Sequence, residues 1–386
     1  MSKKRGNGEG SITKRREGRW MARYTVHTIE GPKRKTLYAK TRTEAAAKLA
    51  KAIAERDRGV AFDTSRMTFG QYLEWWLSDA VRDTVKERTL MRYEQVCRLH
   101  LTPILGRLHL TKLKSAHFQA LYKSKMDDGL SPATVRGIHV VANRAMKQAL
   151  RWDLVSRNPV SDAQAPRTKD AEVTPLSRDQ AKRLLATLSA EMDRLEAFYA
   201  VALATGLRIG ELLGLRWQDV VLDPDNSGGE LRVRRTLVRT RPKREGFAGY
   251  AFDTPKGGKG RSVRFKGGAA RHLRSHKARQ GEEKLRLGAD YADSELVFTK
   301  EVGGILPPWE IWRHFAELLR RSGLPTVPFH TLRHTAATLM LENGEHPKVV
   351  QEILGHANIS QTLGTYSHVT PNMQSAAAER LDTVLF

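Results

Sequence analysis

Four side chains near the C-terminal end of the chain have the chemistry needed to attack a phosphate diester. The segments FHTLRHTAATLM and ILGHANISQTLGTYSHV carry His330, Arg333, His356 and Tyr366 within 37 residues. An arginine holds a phosphate with two hydrogen bonds, a histidine exchanges protons near neutral pH, and a tyrosine hydroxyl can be a nucleophile. Because a phenol has an ordinary pKa of about 10, Tyr366 would need a base or strongly cationic surroundings to react at pH 7.

A second basic motif lies upstream, in the segment ATGLRIGELLGLRWQDV. Arg208 follows Gly206, which permits a tight turn, and it stands at the head of an amphipathic segment. A helix N-terminus favours bound anions, so Arg208 is a second candidate phosphate ligand. Glu211 lies one helical turn later and either orients a neighbouring basic group or forms a local ion pair with Arg208.

A glycine-rich turn between two predicted strands supplies a candidate proton donor. The segment TPKGGKGRSV contains Lys256 and Lys259. A lysine with the ordinary pKa of about 10.4 is charged at pH 7 and can protonate a departing alkoxide. The chemistry of the residues does not decide between the two lysines.

Metal and thiol chemistry fit these motifs less well. His330 and His334 have the i, i+4 spacing of paired metal ligands, but neither a carboxylate nor a cysteine stands where zinc motifs place one. We therefore predict no metal and no cofactor. Cys97 is the single cysteine, so it cannot form an intrachain disulfide, and its place on an apolar helical stripe indicates a packing residue.

The charge of the chain indicates a polyanionic partner. Its 386 residues include 66 Lys and Arg against 42 Asp and Glu, which gives a net charge of +24. Nucleic acid is the class of partner that such a charge favours, although charge alone does not separate an enzyme that acts on DNA from another binder. We expect a reducing cytoplasm and no membrane association, because no apolar run approaches the roughly 20 residues of a membrane-spanning helix and the N-terminal segment lacks a secretory signal.

Three segments of different composition predict a multidomain α+β protein. Residues 1–62 hold nearly half of the net charge. Side chains of two kinds alternate along Trp20–Val26 with the period of a β-strand. After a turn, Lys33–Lys40 is predicted to form another strand. A helix follows, which Thr41 and Glu44 would cap. The first domain is therefore predicted to be a small sheet with one helix.

Residues 63–165 predict an all-helical domain. Apolar residues recur there at helical spacing, and basic residues lie off these stripes, where they either face phosphates or are merely solvated. The predicted helices are Thr68–Ser78, Glu87–Leu101, Ser115–Asp127 and a segment from the Ser131 cap to about Trp152. The stretch from Val160 to about Thr174 is polar and lacks periodicity, which indicates an exposed linker.

Residues 166–386 predict a mainly helical domain with a small antiparallel sheet. Helical patterns fall at 177–189, 194–207, 209–216, 269–281, 308–322, 330–343, 346–354 and 372–382. Strand patterns fall at 230–239, in a pair over 250–265 that would turn through the lysines, and in the short buried segment Leu296–Thr299.

Taken together and in this order, the motifs resemble those of the tyrosine recombinases, specifically the integrases of phages and integrative elements. ATGLRIGELLGLRW resembles the family's first arginine motif, HTLRHTAAT its H-x-x-R motif, and LGHANISQTLGTYSHV the motif that carries the nucleophile. The resemblance covers the whole chain. One departure is Gly364, where relatives usually carry a larger residue before Thr-Tyr.

The resemblance implies a catalytic set and three functional domains. Residues 1–62 are similar to an arm-type DNA-binding domain, a three-stranded sheet plus helix; residues 63–165 resemble a core-site-binding domain and residues 166–386 a catalytic domain. The hairpin lysine falls on Lys256, because Arg261 and Val263 follow it at the expected offsets. The implied catalytic residues are Arg208, Lys256, His330, Arg333, His356 and Tyr366, with Glu211 at the family's acidic position.

The resemblance also implies the reaction. Arg208 and Arg333 would hold the scissile phosphate, His356 would bond to one of its oxygens, and His330 would help to take the phenol proton. Tyr366 would retain a 3′-phosphotyrosyl bond while the hairpin lysine protonates the departing 5′ oxygen. A 5′-hydroxyl of a partner duplex would reverse the step by way of a Holliday junction, without ATP or metal.

The partners implied are double-stranded DNA attachment sites of the core and arm types and a homotetramer on two duplexes. DNA-bending and excision-directing accessory proteins are also implied, in the nucleoid of a prokaryotic host. An apolar stripe over 371–386 predicts docking of this segment on a neighbouring protomer. Two alternatives stay open: a type IB topoisomerase that relaxes supercoils as a monomer, and a noncatalytic DNA-binding regulator. The basic N-terminal segment favours the integrase over the topoisomerase.

Overall fold

The computed structural model describes residues 10–15, 18–28, 31–57, 67–168, 174–241, 249–255, 257–258 and 260–355, and the single residues 358, 382 and 385. The chain divides into two compact units, residues 1–170 and residues 171–386. Small antiparallel sheets and a larger share of helix occur together, which confirms the predicted multidomain α+β class.

The N-terminal part of the first unit is a three-stranded antiparallel sheet with one helix. The strands lie in the order β1-β2-β3, and helix α1 begins where Thr41 and Glu44 cap it, as predicted. The Oγ1 atom of Thr41 accepts the backbone N–H of Glu44 at 3.1 Å, and the Glu44 carboxylate accepts the N–H of Lys40 at 3.0 Å. The elements are β1 Ser11–Lys14, β2 Trp20–Thr28, β3 Gly31–Ala39 and α1 Arg42–Asp57.

The remainder of the first unit is helical, as predicted. Its helices are α2 Phe69–Trp75, α3 Glu87–Val96, α4 Thr102–Leu105, α5 Ser115–Asp127 and α6 Pro132–Arg151. Two helices continue as π-helical turns, Trp76–Val81 after α2 and Cys97–Leu101 after α3. Cys97 is buried in the apolar core, and burial raises the pKa of its thiol to about 12, which confirms the interpretation as a packing residue.

The second unit is built around one buried helix, α8. Its sequence EAFYAVALAT is apolar on every face, so it can pack against α7, α10 and α12 at once. The helices of this unit are α7 Arg178–Ala190, α8 Glu196–Thr205, α9 Ile209–Leu212, α10 Gly267–Leu287, α11 Pro308–Arg321, α12 Thr331–Glu342 and α13 Pro347–Leu354. None of the helices in the described residues combines the length and apolar character needed to cross a membrane.

In the described residues of this unit, three small antiparallel sheets flank the helices. One has the strand order β4-β5-β8, one pairs β6 with β7, and one pairs β9 with β10. The strands are β4 Val220–Leu222, β5 Gly228–Val233, β6 Thr236–Arg239, β7 Tyr250–Asp253, β8 Arg261–Lys266, β9 Thr299–Lys300 and β10 Gly303–Ile305.

The predicted strand pairing in this unit was wrong. Residues 230–239 are not one strand, because β5 and β6 belong to different sheets, and β7 and β8 do not pair with each other. The break between β5 and β6 contains Arg235, whose Nη1 donates to the buried carboxylate of Asp219 at 2.8 Å. This contact holds the chain at the point where it changes sheets.

The predicted helix 209–216 was too long. Helix α9 ends at Leu212, and the chain then forms an isolated bridge between Arg216 and Leu296. The backbone N–H of Val297 donates to the carbonyl of Leu215 at 2.9 Å, so a pairing with a distant segment replaces the helical hydrogen bonds. The same pairing shifts the predicted strand Leu296–Thr299, of which only Thr299 lies in β9. The predicted helix 372–382 lies outside the described residues, apart from residue 382.

Candidate active site

Arg208 lies where buried helix α8 gives way to short helix α9. Helix α8 ends at Gly206, which has a left-handed φ of 62°. The left-handed turn favours glycine, and a β-carbon at Gly206 would lie 2.6 Å from Cδ2 of Leu354, so a larger residue would also displace this side chain. Two residues later, Nη1 of Arg208 donates to Oε1 of Glu211 at 3.0 Å. The turn therefore places Arg208 beside the C-terminal end of α8.

Glu211 is a buried counter-ion shared by two arginines. Its side chain is 1% exposed, and it accepts hydrogen bonds from Arg208 and, at 3.1 and 2.8 Å, from Nη1 and Nη2 of Arg261. Burial by itself raises the pKa of Glu211. The hydrogen bonds and charge of Arg261, together with the charge of Arg208, outweigh burial and hold the pKa below its ordinary value. Glu211 is therefore a carboxylate at neutral pH.

Arg333 connects two glycine turns from inside the protein. It is 3% exposed and stands in the first turn of α12. Its Nη1 donates to the carbonyl of Gly206 at 2.9 Å, and its Nη2 donates to the carbonyl of Leu354 at 2.7 Å. Arg333 thus ties the end of α8 to the end of α13.

The C-terminal end of α13 receives three guanidinium groups on three consecutive carbonyls, Ile353–Gly355. Arg261 donates to the first carbonyl at 2.8 Å, Arg333 to the second at 2.7 Å and Arg208 to the third at 3.4 Å. Carbonyls in the last turn of a helix lack intrahelical partners and carry the negative end of the helix dipole. Short α13 therefore gathers three positive charges at one point of the second unit.

Gly355 ends α13 in a left-handed turn with a φ of 67°. A β-carbon at Gly355 would lie 3.0 Å from both Cζ and Nη1 of Arg261. The glycine therefore lets a guanidinium group pack directly against the backbone that leads into His356.

His330 stands beside this cluster as the residue that precedes α12. The backbone N–H of Arg333 donates to its carbonyl at 3.1 Å, and its ring meets the ring of His334 edge-on at 4.9 Å. Partial burial, followed by the positive charges of His334, Arg333 and Arg208, lowers the pKa of His330 to about 4. A neutral imidazole is thus present at pH 7 and can accept a proton. In the described part of the chain, no group of three or more His, Cys, Asp or Glu side chains is arranged to hold a metal ion.

The structure brings together four of the seven predicted site residues and adds one residue. The predicted residues that meet are Arg208, Glu211, His330 and Arg333. Those that lie outside the described residues are Lys256, its competitor Lys259, His356 and Tyr366. The added residue is Arg261, which the sequence analysis used only to align the lysine. A usable signal was strand alternation, because residue 261 shares a face with buried Val263 and Phe265.

The chain is similar to known proteins of one family. Residues 175–373, more than half of the chain, match the phage integrase family, and residues 68–126 match the N-terminal SAM-like domain of phage integrases. Over 364 residues the chain is 31% identical to a tyrosine recombinase XerC-like protein of Caldanaerobacter subterraneus subsp. tengcongensis, with 90% of this chain and 91% of that protein covered. It is 23% identical over 351 residues to the ICEBs1 integrase of Bacillus subtilis, with 90% and 91% covered.

Solved structures show the same fold. The Tn1549 transposon integrase in complex with transposon right end DNA is 25% identical with a TM-score of 0.66, over 82% of this chain and 100% of that chain. A lambda integrase tetramer bound to a Holliday junction is 19% identical with a TM-score of 0.57, over 93% of this chain and 96% of that chain. The protein belongs to the phage integrase family of tyrosine recombinases. It is a site-specific DNA recombinase that cuts and rejoins strands through a 3′-phosphotyrosyl intermediate.

Proposed function

We propose that Arg208 and Arg333 hold the scissile phosphate of a mobile-element end while Tyr366 attacks it. The observation that carries this assignment is the pair of guanidinium groups on the adjacent carbonyls of Leu354 and Gly355. Two arginines this close can bind the two nonbridging oxygens of one phosphate, and they stabilise the charge that grows in the pentacoordinate transition state.

The two proton transfers of the step are assigned to a histidine and a lysine. His330 is neutral at pH 7, so it takes the proton of the Tyr366 hydroxyl as the phenolic oxygen bonds to phosphorus. The bond from phosphorus to the 5′ oxygen breaks, and Lys256 gives that oxygen a proton. Lys256 suits this step because its loop ends at Arg261, which is anchored beside the cluster. His356 directly follows Gly355 in the chain and would donate to a phosphate oxygen.

The reaction then runs backwards on another strand. A 5′-hydroxyl of the partner duplex attacks the phosphotyrosyl ester, Tyr366 leaves, and the phosphodiester is restored in a new combination. The ester conserves the energy of the broken bond, so the exchange needs no ATP. Since the arginines supply positive charge at the phosphate, we also assign no metal to the step.

The wider assembly is part of the same proposal. The boundaries 1–62, 63–165 and 166–386 would separate an arm-site-binding domain, a core-site-binding domain and a catalytic domain. Four protomers would act on two duplexes in the nucleoid of a prokaryotic host, aided by DNA-bending and excision-directing proteins. Support comes from the lambda integrase tetramer on a Holliday junction, which shares the fold, and from the net charge of +24.

The test uses the DNA junctions that flank the coding region as attachment sites. The full chain is mixed with a supercoiled plasmid that carries one junction and a linear duplex that carries its counterpart. A joined product of defined length supports the integrase. Relaxed plasmid without joined product would replace it with the topoisomerase reading, and bound but unaltered DNA would replace it with a regulator.

A further inference from the structure

We infer that Arg261 is a positioning residue for strand cleavage, which sets Arg208 through Glu211 and joins the lysine loop to the backbone that leads to His356. The inference rests on the proposed roles of Arg208 and of the lysine loop. It concerns a residue that neither contacts the reacting atoms in the proposed step nor belongs to the catalytic set predicted from the sequence.

The position of Arg261 on its strand turns its side chain inward. Strand β8 alternates, with Val263 and Phe265 buried and Ser262 and Arg264 exposed. Arg261 begins the strand on the buried side and pairs with Val233 of β5. Its side chain is 15% exposed, so an arginine stands where the alternation would favour an apolar residue.

The burial of Arg261 is compensated by directed contacts from all three of its side-chain nitrogens. Its Nη1 and Nη2 donate hydrogen bonds to the two carboxylate oxygens of Glu211, and its Nε donates to the carbonyl of Ile353 at 2.8 Å. This is a planar fork that an ammonium group cannot reproduce, because lysine is a single point charge. The contacts fix the Glu211 carboxylate in one orientation. In this orientation its Oε1 accepts a hydrogen bond from Nη1 of Arg208 at 3.0 Å.

Arg261 also lies at a junction of the chain. It follows the loop of Lys256 and Lys259 directly, and Ile353 lies three residues before His356. One guanidinium group therefore fixes where the lysine loop ends, where Arg208 points and where α13 stops. Loss of the fork would misplace several proposed catalytic groups together, without removing any of them.

The experiment measures single-turnover formation of the covalent adduct by the full chain on a saturating nicked duplex. Arg261→Met and Arg261→Lys are compared with wild type on two substrates. One has a normal scissile phosphodiester, and the other has a methylphosphonate diester, which lacks the negative charge that Arg208 would neutralise. Arg264→Met is the matched control, because Arg264 lies on the same strand with a side chain that is 71% exposed.

We expect both Arg261 variants to slow adduct formation on the phosphodiester by at least about tenfold, as a misplaced group of this kind does. DNA binding should stay within about twofold, and the difference from wild type should shrink on the uncharged substrate, where the placement of Arg208 matters less. Combining Arg261→Met with Glu211→Gln should add little to the loss from either change alone. Arg264→Met should react at the wild-type rate.

Two results would overturn the inference. One is a wild-type rate for the Arg261 variants, and the other is equal slowing on both substrates, which would show that Arg261 does not act through Arg208. If Arg261→Met fails to fold, Arg261→Lys decides the question, because it keeps a positive charge opposite Glu211 and loses only the fork. Absence of any adduct with wild-type protein would reject the proposed function itself. This outcome differs from the two results that overturn only the role of Arg261, because in those the wild-type protein forms the adduct.

Discussion

The carboxylate of Glu211 lies 3.0 Å from the guanidinium group of Arg208 and is almost completely excluded from solvent. Such a pair is weak evidence for stability, because desolvation offsets much of the attraction. Its value lies in geometry: a buried carboxylate with fixed partners defines where a flexible arginine side chain must point. The pair therefore prepares Arg208 for a phosphate before DNA arrives.

Replacing Glu211 with glutamine should destabilise the protein. The change leaves the charges of Arg208 and Arg261 without their buried counter-ion, and breaking a buried pair in this way costs about 3 to 5 kcal/mol. Thermal unfolding of the full chain should show a lower melting temperature for the transition of the second unit. The control is Glu230→Gln, since Glu230 pairs with Arg232 at the surface and its loss should lower the melting temperature far less than the loss of Glu211 does. Equal effects of the two changes would contradict the account.

The effect of Glu211 should depend on pH with a definite sign. The folded state holds the pKa of Glu211 below the ordinary 4.5, so its contribution to stability is complete above pH 4.5 and is lost as pH falls through the lower folded value. The difference in stability between wild type and Glu211→Gln should therefore be constant from neutral pH to about pH 5 and shrink below it. A difference that grows with acidification would show that the carboxylate is not held charged by its arginines.

His330 should stay neutral in the free protein well below the ordinary histidine pKa. Partial burial and the neighbouring positive charges lower its pKa from 6.5 to about 4. Histidine ring signals, assigned with a His330→Gln variant, should show no titration of this residue between pH 8 and about pH 5.5. Addition of cognate DNA should raise its pKa, because a phosphate anion favours the imidazolium. Titration near pH 6.5 without DNA would remove the basis for a neutral proton acceptor.

Gly206→Ala should weaken both the fold and the site. The left-handed backbone costs an alanine about 1 to 2 kcal/mol, and its β-carbon would collide with Leu354. A shift of this turn would move the carbonyl that accepts the hydrogen bond from Arg333, so covalent adduct formation should slow as well. Gly281→Ala is the control, because Gly281 lies inside α10 with open space around it and the change should be neutral or stabilising. Loss of adduct formation in the control alone would contradict this account.

Removal of divalent metal ions should leave cleavage unchanged. The proposed step draws its positive charge from Arg208 and Arg333, which are already held on the carbonyls at the end of α13. Adduct formation should therefore proceed at the same rate in a chelating buffer as in one with magnesium. A rate that falls on chelation and returns with a particular metal would require a different source of charge.

The sequence predicted those features that depend on neighbours in the chain. Helical periodicity located α5 and α6, and a capping motif located the start of α1. The motifs also identified Arg208 and Arg333, whose proximity the structure then displays. Such features depend on residues that are close together in the sequence, so the sequence alone predicts them.

Features that depend on distant partners could not be predicted in this way. The pairing of β8 with β5 and the early end of α9 are decided by segments tens of residues away. Arg261 belongs to the same class, because only the folded chain shows the buried carboxylate and the helix end that it joins. Strand alternation places residue 261 on the buried face of β8, but it does not show which groups Arg261 contacts there.

The most direct test of the central claim is to identify the residue that bonds to DNA. Trypsin cleaves after Lys348 and Arg380, and Tyr366 is the only tyrosine in the peptide between them. After reaction with a nicked cognate duplex and digestion of the DNA, mass spectrometry should find a nucleotide remnant on this peptide. It should find none with Tyr366→Phe. A remnant on another peptide, or an adduct that persists in Tyr366→Phe, would contradict the assignment of Tyr366 as the nucleophile.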